Sequence, residues 1–237
     1  MKKQTLMFIC ATSFVLTGCN STMVSQATSL ATNMISSGSD AAQGFNSEYP
    51  VNAALASQDP LLASYGTSVI LMFTAQEVWL SSIGHAEGAA NLKAERIALE
   101  SGAIINDDLI ERHAQLSVET HALVQESVNE GTDLTNQGRI EFATGWVPYL
   151  AGLWQSYEVA TKAGDYATTV AHNAANISVY NALDTFEKGA VLTTLVASVP
   201  DIIEMQYDTF SLIQEYARDQ NIEVPEDATS ALSDISL

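Results

Sequence analysis

The chain of 237 residues carries 28 acidic against nine basic residues, a formal net charge of −19. A surface of that sign repels phosphate backbones and anionic lipid headgroups, which excludes nucleic acid as a partner and leaves a basic partner, divalent cations or plain solubility as its meaning. Hydrophobic residues make up 47% and charged residues 16%, a globular balance with length for one sizeable core or two small ones.

In chain order, Lys2 and Lys3 supply a short basic start. The stretch from Leu6 to Leu16 is apolar apart from Thr12 and Ser13, the pattern of an export signal. It is too short to cross a bilayer, which needs roughly 20 apolar residues. Leu16-Thr17-Gly18-Cys19 follows at once and resembles the lipobox of bacterial lipoproteins, in which small residues precede the cysteine that receives lipid. The resemblance covers about the first twenty residues and carries nothing about the rest.

It implies that residues 1–18 are a lipoprotein signal peptide, removed by cleavage before Cys19. It also implies that the Cys19 sulfur takes a diacylglyceryl group and that the new amino terminus is acylated. Each buried methylene is worth about 0.8 kcal/mol, and one chain anchors only marginally, so several chains make attachment effectively permanent. Thr17-Gly18 is a poor match to the A-x-A pattern of an ordinary secretory leader. Asn20 stands where, in Gram-negative members, an aspartate commonly retains the protein in the inner membrane. The resemblance therefore implies the outer membrane, with the body facing periplasm or cell surface. With Cys10 discarded and Cys19 lipidated, no thiol or internal disulfide remains, and loss of Lys2 and Lys3 leaves seven basic against 28 acidic residues, a net of −21.

Residues 19–58 are rich in Ser, Thr, Asn, Gln, Ala and Gly, the composition of a tether, with Val24, Ala27, Leu30, Ala31 and Met34 spaced for a short helix over 22–36. Such a tether reaches at most about 140 Å extended and averages nearer 35 Å as a coil. Residues 59–221 read as a helical bundle. Asp59-Pro60 is a helix start, a capping carboxylate followed by a proline whose missing N–H costs nothing there. Tyr65, Val69, Met72, Gln76, Trp79, Ile83, Ala86 and Ala90 then recur at steps of four and three. The pattern either continues to Ser101, with Gly102 closing it, or breaks at Gly84-His85, and one long helix of about 40 residues, roughly 60 Å, is the expectation.

Asn106 with Asp107 and Asp108 marks the next start, Leu109, His113, Leu116, Thr120, Leu123 and Ser127 its seam, and Gly131 its end. In the pattern from Thr132, Gly138, Gly145 and Gly152 lie seven apart beside Phe142 and Tyr149, which predicts close backbone approach to a neighbour. Pro148 predicts a kink or break between Gly145 and Pro148, after which the helix resumes toward Asn173. A further helix is expected from about Ser178 to Ala197. Ser198, Pro200, Asp201 and Glu204 read as the start of a last one ending near Asn221, and residues 222–237 as a loose acidic tail. The fold class expected is all-α, an antiparallel bundle of four or five long helices.

Catalytic signals are scarce. A carboxylate-bridged di-metal bundle wants Glu three residues before an inward His, but Ser82, Ile110, Val118 and Thr169 hold those places before His85, His113, His121 and His172. Asp133 to Gly138 opens like a calcium loop, yet Thr135, Gln137 and Thr144 stand where ligands are required. Gly84 and Gly88 have the spacing of close helix contact, and Trp79, Trp146 and Trp154 read as core anchors. No catalytic residue, cofactor or metal ligand is assigned. The expected function is a non-catalytic envelope interaction or scaffold module, partnered by membrane lipid through Cys19 and by an envelope protein, with an oligomer left open. The alternative is a membrane-active helical protein, like a component of an α-helical pore-forming toxin, inserting segments 146–154 and 190–203. An enzyme or metal-binding bundle has the weakest support.

Overall fold

The computed structural model describes residues 51–174 and 182–225. The signal peptide, Cys19, the helix over 22–36 and the tail beyond 225 lie outside the described residues. The fold is all-α, and the described residues form no strand. Among the described residues six helices follow in order: α1 (Pro60–Ser82), α2 (Ala86–Glu100), α3 (Asp107–Glu130), α4 (Asn136–Ala143), α5 (Trp146–Ala174) and α6 (Ala182–Asp219).

Local chemistry sets most boundaries. The Asp59 carboxylate accepts from the N–H groups of Leu61 and Leu62, Asn106 from Leu109 and Thr135 from Gly138, each satisfying donors that a helix start leaves open. Gly131 closes α3 with φ +63°, a left-handed conformation a side chain would disfavour. Pro148 is the third residue of α5, where its missing N–H has no helical acceptor to lose, so the expected break falls between α4 and α5.

Two boundaries differ from expectation. The long helix after Pro60 is two helices: α1 ends at Ser82, Gly84 turns the chain at φ +95°, and the His85 N–H donates to the Leu80 carbonyl at 2.8 Å. Beyond the corner the apolar stripe shifts register, so that Ala89, Leu92, Arg96 and Leu99 are buried while Ala86 and Ala90 are exposed. Folding back lets Arg96 reach Glu77 on α1, with Nη2 2.8 Å and Nε 3.0 Å from Oε2. Conversely, Ser198 and Pro200 do not start a helix, because α6 runs unbroken through Pro200 for 38 residues, about 57 Å. Leu192, Leu195 and Val199 before the proline continue as Ile202, Ile203 and Gln206 after it on one buried face, while Pro200 is exposed. Burial on both sides offsets the roughly 3 kcal/mol a proline costs inside a helix.

The helices pack in a ring, α1 beside α5, α5 beside α6, α6 beside α3, with α2 against α1. Among the long helices α1, α3 and α6 run the same way, since Tyr65 meets His113, Gln76 and Ser117 both meet Gln206, and His121 meets Thr209. Helices α2 and α5 run against them, since Arg96 meets Glu77, Gly145 meets Trp79 and Tyr166 meets Asp59. Helix α1 is enclosed by its neighbours, buried at every residue from 61 to 76, as expected for a helix with apolar or uncharged residues on every side. Residues 51–58, assigned by composition to the tether, pack on the bundle. Leu55 is fully buried, Asn52 N donates to Thr67 Oγ1, and Gln58 bonds Ala103 O and Ile105 N in the α2–α3 loop.

Candidate functional site

Four helices each send one polar side chain to the middle of the bundle. Gln76 Nε2 on α1 donates to Gln206 Oε1 on α6 at 2.7 Å, and Gln206 Nε2 donates to Ser117 Oγ on α3 at 2.6 Å. Tyr149 on α5 has one proton and two acceptors at 2.6 Å, the Gln206 carbonyl and Gln206 Oε1. All four residues are buried. Burial holds the Tyr149 hydroxyl protonated by pushing its ionisation well above the usual tyrosine range. The layer is therefore neutral and donor-rich, with no group able to serve as a base near neutrality. It fixes helix register, since a slip would part Gln76, Gln206 and Tyr149 from their partners in an apolar interior, while Ser117 keeps its local bond to the His113 carbonyl.

One turn toward the α1 start, the hydroxyl of Tyr65 lies 2.7 Å from His113 Nδ1, with the Phe73 ring edge-on to the imidazole at 5.2 Å between centroids. Both residues are buried, and desolvation lowers His113 to about 3 while raising Tyr65. The ring is thus neutral near pH 7. With Tyr65 donating to Nδ1, its proton sits on Nε2, a buried atom without a hydrogen-bond partner.

The structure does not bring the histidines together. His85 Nε2 lies 2.9 Å from Ser127 Oγ, His121 Nδ1 lies 3.2 Å from Thr209 Oγ1, and His172 is exposed on α5. Among the described residues no three His, Cys, Asp or Glu side chains form a group that could hold a metal ion. Trp79 and Trp146 are core anchors, Trp79 donating to the Phe142 carbonyl at 2.9 Å, and Trp154 is half-buried beside Tyr157. The glycine spacing is explained at two positions. A Cβ on Gly145 would stand 2.3 Å from Trp79 Nε1, and one on Gly152 would stand 2.8 Å from the Ser68 carbonyl. At Gly138 the nearest atoms are local, Thr135 Oγ1 and Leu134. In the Gly84 and Gly88 pair, only Gly88 makes a close contact, against Leu123 and Leu80, while Gly84 turns the corner.

Sequence reasoning placed Gln76 in the α1 seam but missed the layer it joins. The available signal was an uncharged polar residue in an otherwise apolar stripe. It also missed a groove of about 620 Å³ between the α1–α2 corner and α3.

The fold and its centre define an all-α bundle locked by buried hydrogen bonds. No family model, curated protein or solved structure matches the chain. Among the described residues no helix is long and apolar enough to cross a membrane.

Proposed function

We propose that the chain is a lipid-anchored protein of the bacterial envelope, in the outer membrane, whose helical body is a non-catalytic interaction or scaffold module. The observation that carries this reading is the run from Leu6 to Leu16 ending in Leu16-Thr17-Gly18-Cys19. The packing of the body supports it. Residues 51–58 tie the chain to the end of the bundle that holds the α1 start and the α2–α3 loop, and Tyr166 near the end of α5 donates to Asp59 at 2.6 Å. An anchor on Cys19 therefore pulls on one end of the bundle. The other end, with the α1–α2 corner and the α3–α4 connection, lies the length of α1 away, about 35 Å for 23 residues. The buried layer resists sliding of helices under that load.

Mass spectrometry of the protein from bacterial membranes tests the anchor. Thioether-linked diacylglycerol at Cys19 and release of a Cys19→Ser variant into the aqueous fraction are expected, and an unmodified sulfur refutes the reading.

One observation favours the membrane-active alternative: α1 buries sixteen consecutive residues, 61–76, behind the other helices. Segment 146–154 packs against this helix, with Trp146, Tyr149 and Leu153 fully buried. Dye release from liposomes by the delipidated chain across pH and lipid composition would support that alternative, and its absence removes it.

A further inference from the structure

The groove between the α1–α2 corner and α3 is opened on one bank by three small residues, Gly84, Ala86 and Gly88, set among His85, Glu87 and Asn91. Gly84 and Ala86 stand open at the corner, and Gly88 is met by the tips of Leu123 and Leu80. Across from them α3 presents Ala122 and Leu123 as an apolar floor. Three carboxylates rim it, Glu119 and Glu126 on α3 and Glu87 on α2, all exposed and in no ion pair among the described residues. The lining contains no lysine or arginine. By contrast, Glu77, Glu95, Glu100 and Glu158 elsewhere on the bundle each hold a basic side chain.

The spacing on α3 is informative. Glu119 and Glu126 are seven residues apart, two helical turns or about 10.5 Å along one face, with Ala122 and Leu123 between them. A helix laid in the groove alongside α3, with basic residues seven apart and a small apolar residue between, meets both carboxylates and covers the floor at once, the helix-in-groove mode of recognition. Its charge also answers the net −19 of this chain. We infer that this groove docks a basic amphipathic helix of a partner protein. The inference deepens the interaction-module reading and rests on it, since that reading supplies the partner. The groove lies at the end of the bundle remote from residues 51–58, on the side an anchored body holds away from the membrane.

The probe is a fluorescein-labelled, alanine-based helical peptide with two lysines seven residues apart, titrated by anisotropy into the detergent-solubilised full chain at low ionic strength. Saturable binding is expected for this peptide, and none for its counterpart with glutamates in place of the lysines. Glu119→Gln with Glu126→Gln should weaken binding about tenfold, the scale of two exposed pairs. Ala122→Trp, which fills the groove without altering charge, should abolish it. Glu204→Gln with Glu215→Gln, removing the same charge from exposed positions on α6, should leave it unchanged. Absence of binding, survival of binding in Ala122→Trp, or equal weakening by the α6 pair overturns the inference. The mass of Cys19 reports on the anchor independently of all these outcomes.

Discussion

Lowering the pH should destabilise the bundle through one buried ring. His113 ionises near 3 in the folded chain and near 6.5 when unfolded. Below pH 6.5 the unfolded state binds a proton that the folded state refuses, so this contribution is intact above 6.5 and is lost as pH falls toward 3. One unit of difference is 1.36 kcal/mol, so between pH 7 and 4.5 the loss is about 2.5 kcal/mol. Glutamine at this position keeps an acceptor for the Tyr65 hydroxyl but cannot titrate. Urea unfolding of the wild-type chain and of His113→Gln at both pH values isolates the effect, because every carboxylate titrates alike in the two proteins. At pH 7 the wild type should be the more stable, and by pH 4.5 that margin should shrink by about 2.5 kcal/mol or reverse. A margin constant across the interval would refute the reasoning, for it would mean that His113 is hydrated or paired in the folded state rather than buried neutral.

Gly152→Ala should cost about 2–3 kcal/mol in chemical denaturation, because the new methyl meets the Ser68 carbonyl at 2.8 Å and the Met72 backbone nitrogen at 3.0 Å, so α1 and α5 must separate. Gly164→Ala, in the same helix with nothing within 4 Å, should instead stabilise by about 0.5–1 kcal/mol. Gln206→Met should cost about 1–3 kcal/mol, chiefly by leaving the Gln76 amide unpaired, since Ser117 keeps its bond to the His113 carbonyl and Tyr149 its bond to the main-chain carbonyl of residue 206. Adding Gln76→Met, Ser117→Ala and Tyr149→Phe should recover most of that loss, because a fully apolar layer has nothing left unsatisfied. A quadruple variant no more stable than Gln206→Met alone would show that the layer contributes by packing rather than by hydrogen bonding.

Short-range signals in the sequence determined much of this protein. The caps at Asp59 and Asn106, the stop at Gly131 and the break before Pro148 depend on atoms within a turn of one another. The all-α class and the tight approach at Gly145 and Gly152 follow from periodicity carried on a single strip of chain. Tertiary packing decided what those signals leave degenerate. The steps of three and four continue equally well past Gly84, and it is the burial of Ala89, Leu92 and Leu99 together with the meeting of Glu77 and Arg96 that favours folding back. A proline ends a helix unless burial on both sides outweighs the lost bond, as it does around Pro200. Gln76 and Gln206 are 130 residues apart, and the groove beside Gly88 forms only where the small residues of the α1–α2 corner come to face α3. A residue's own chemistry says what it can bond to, whereas which distant surface arrives to meet it is settled by the free energy of the whole core.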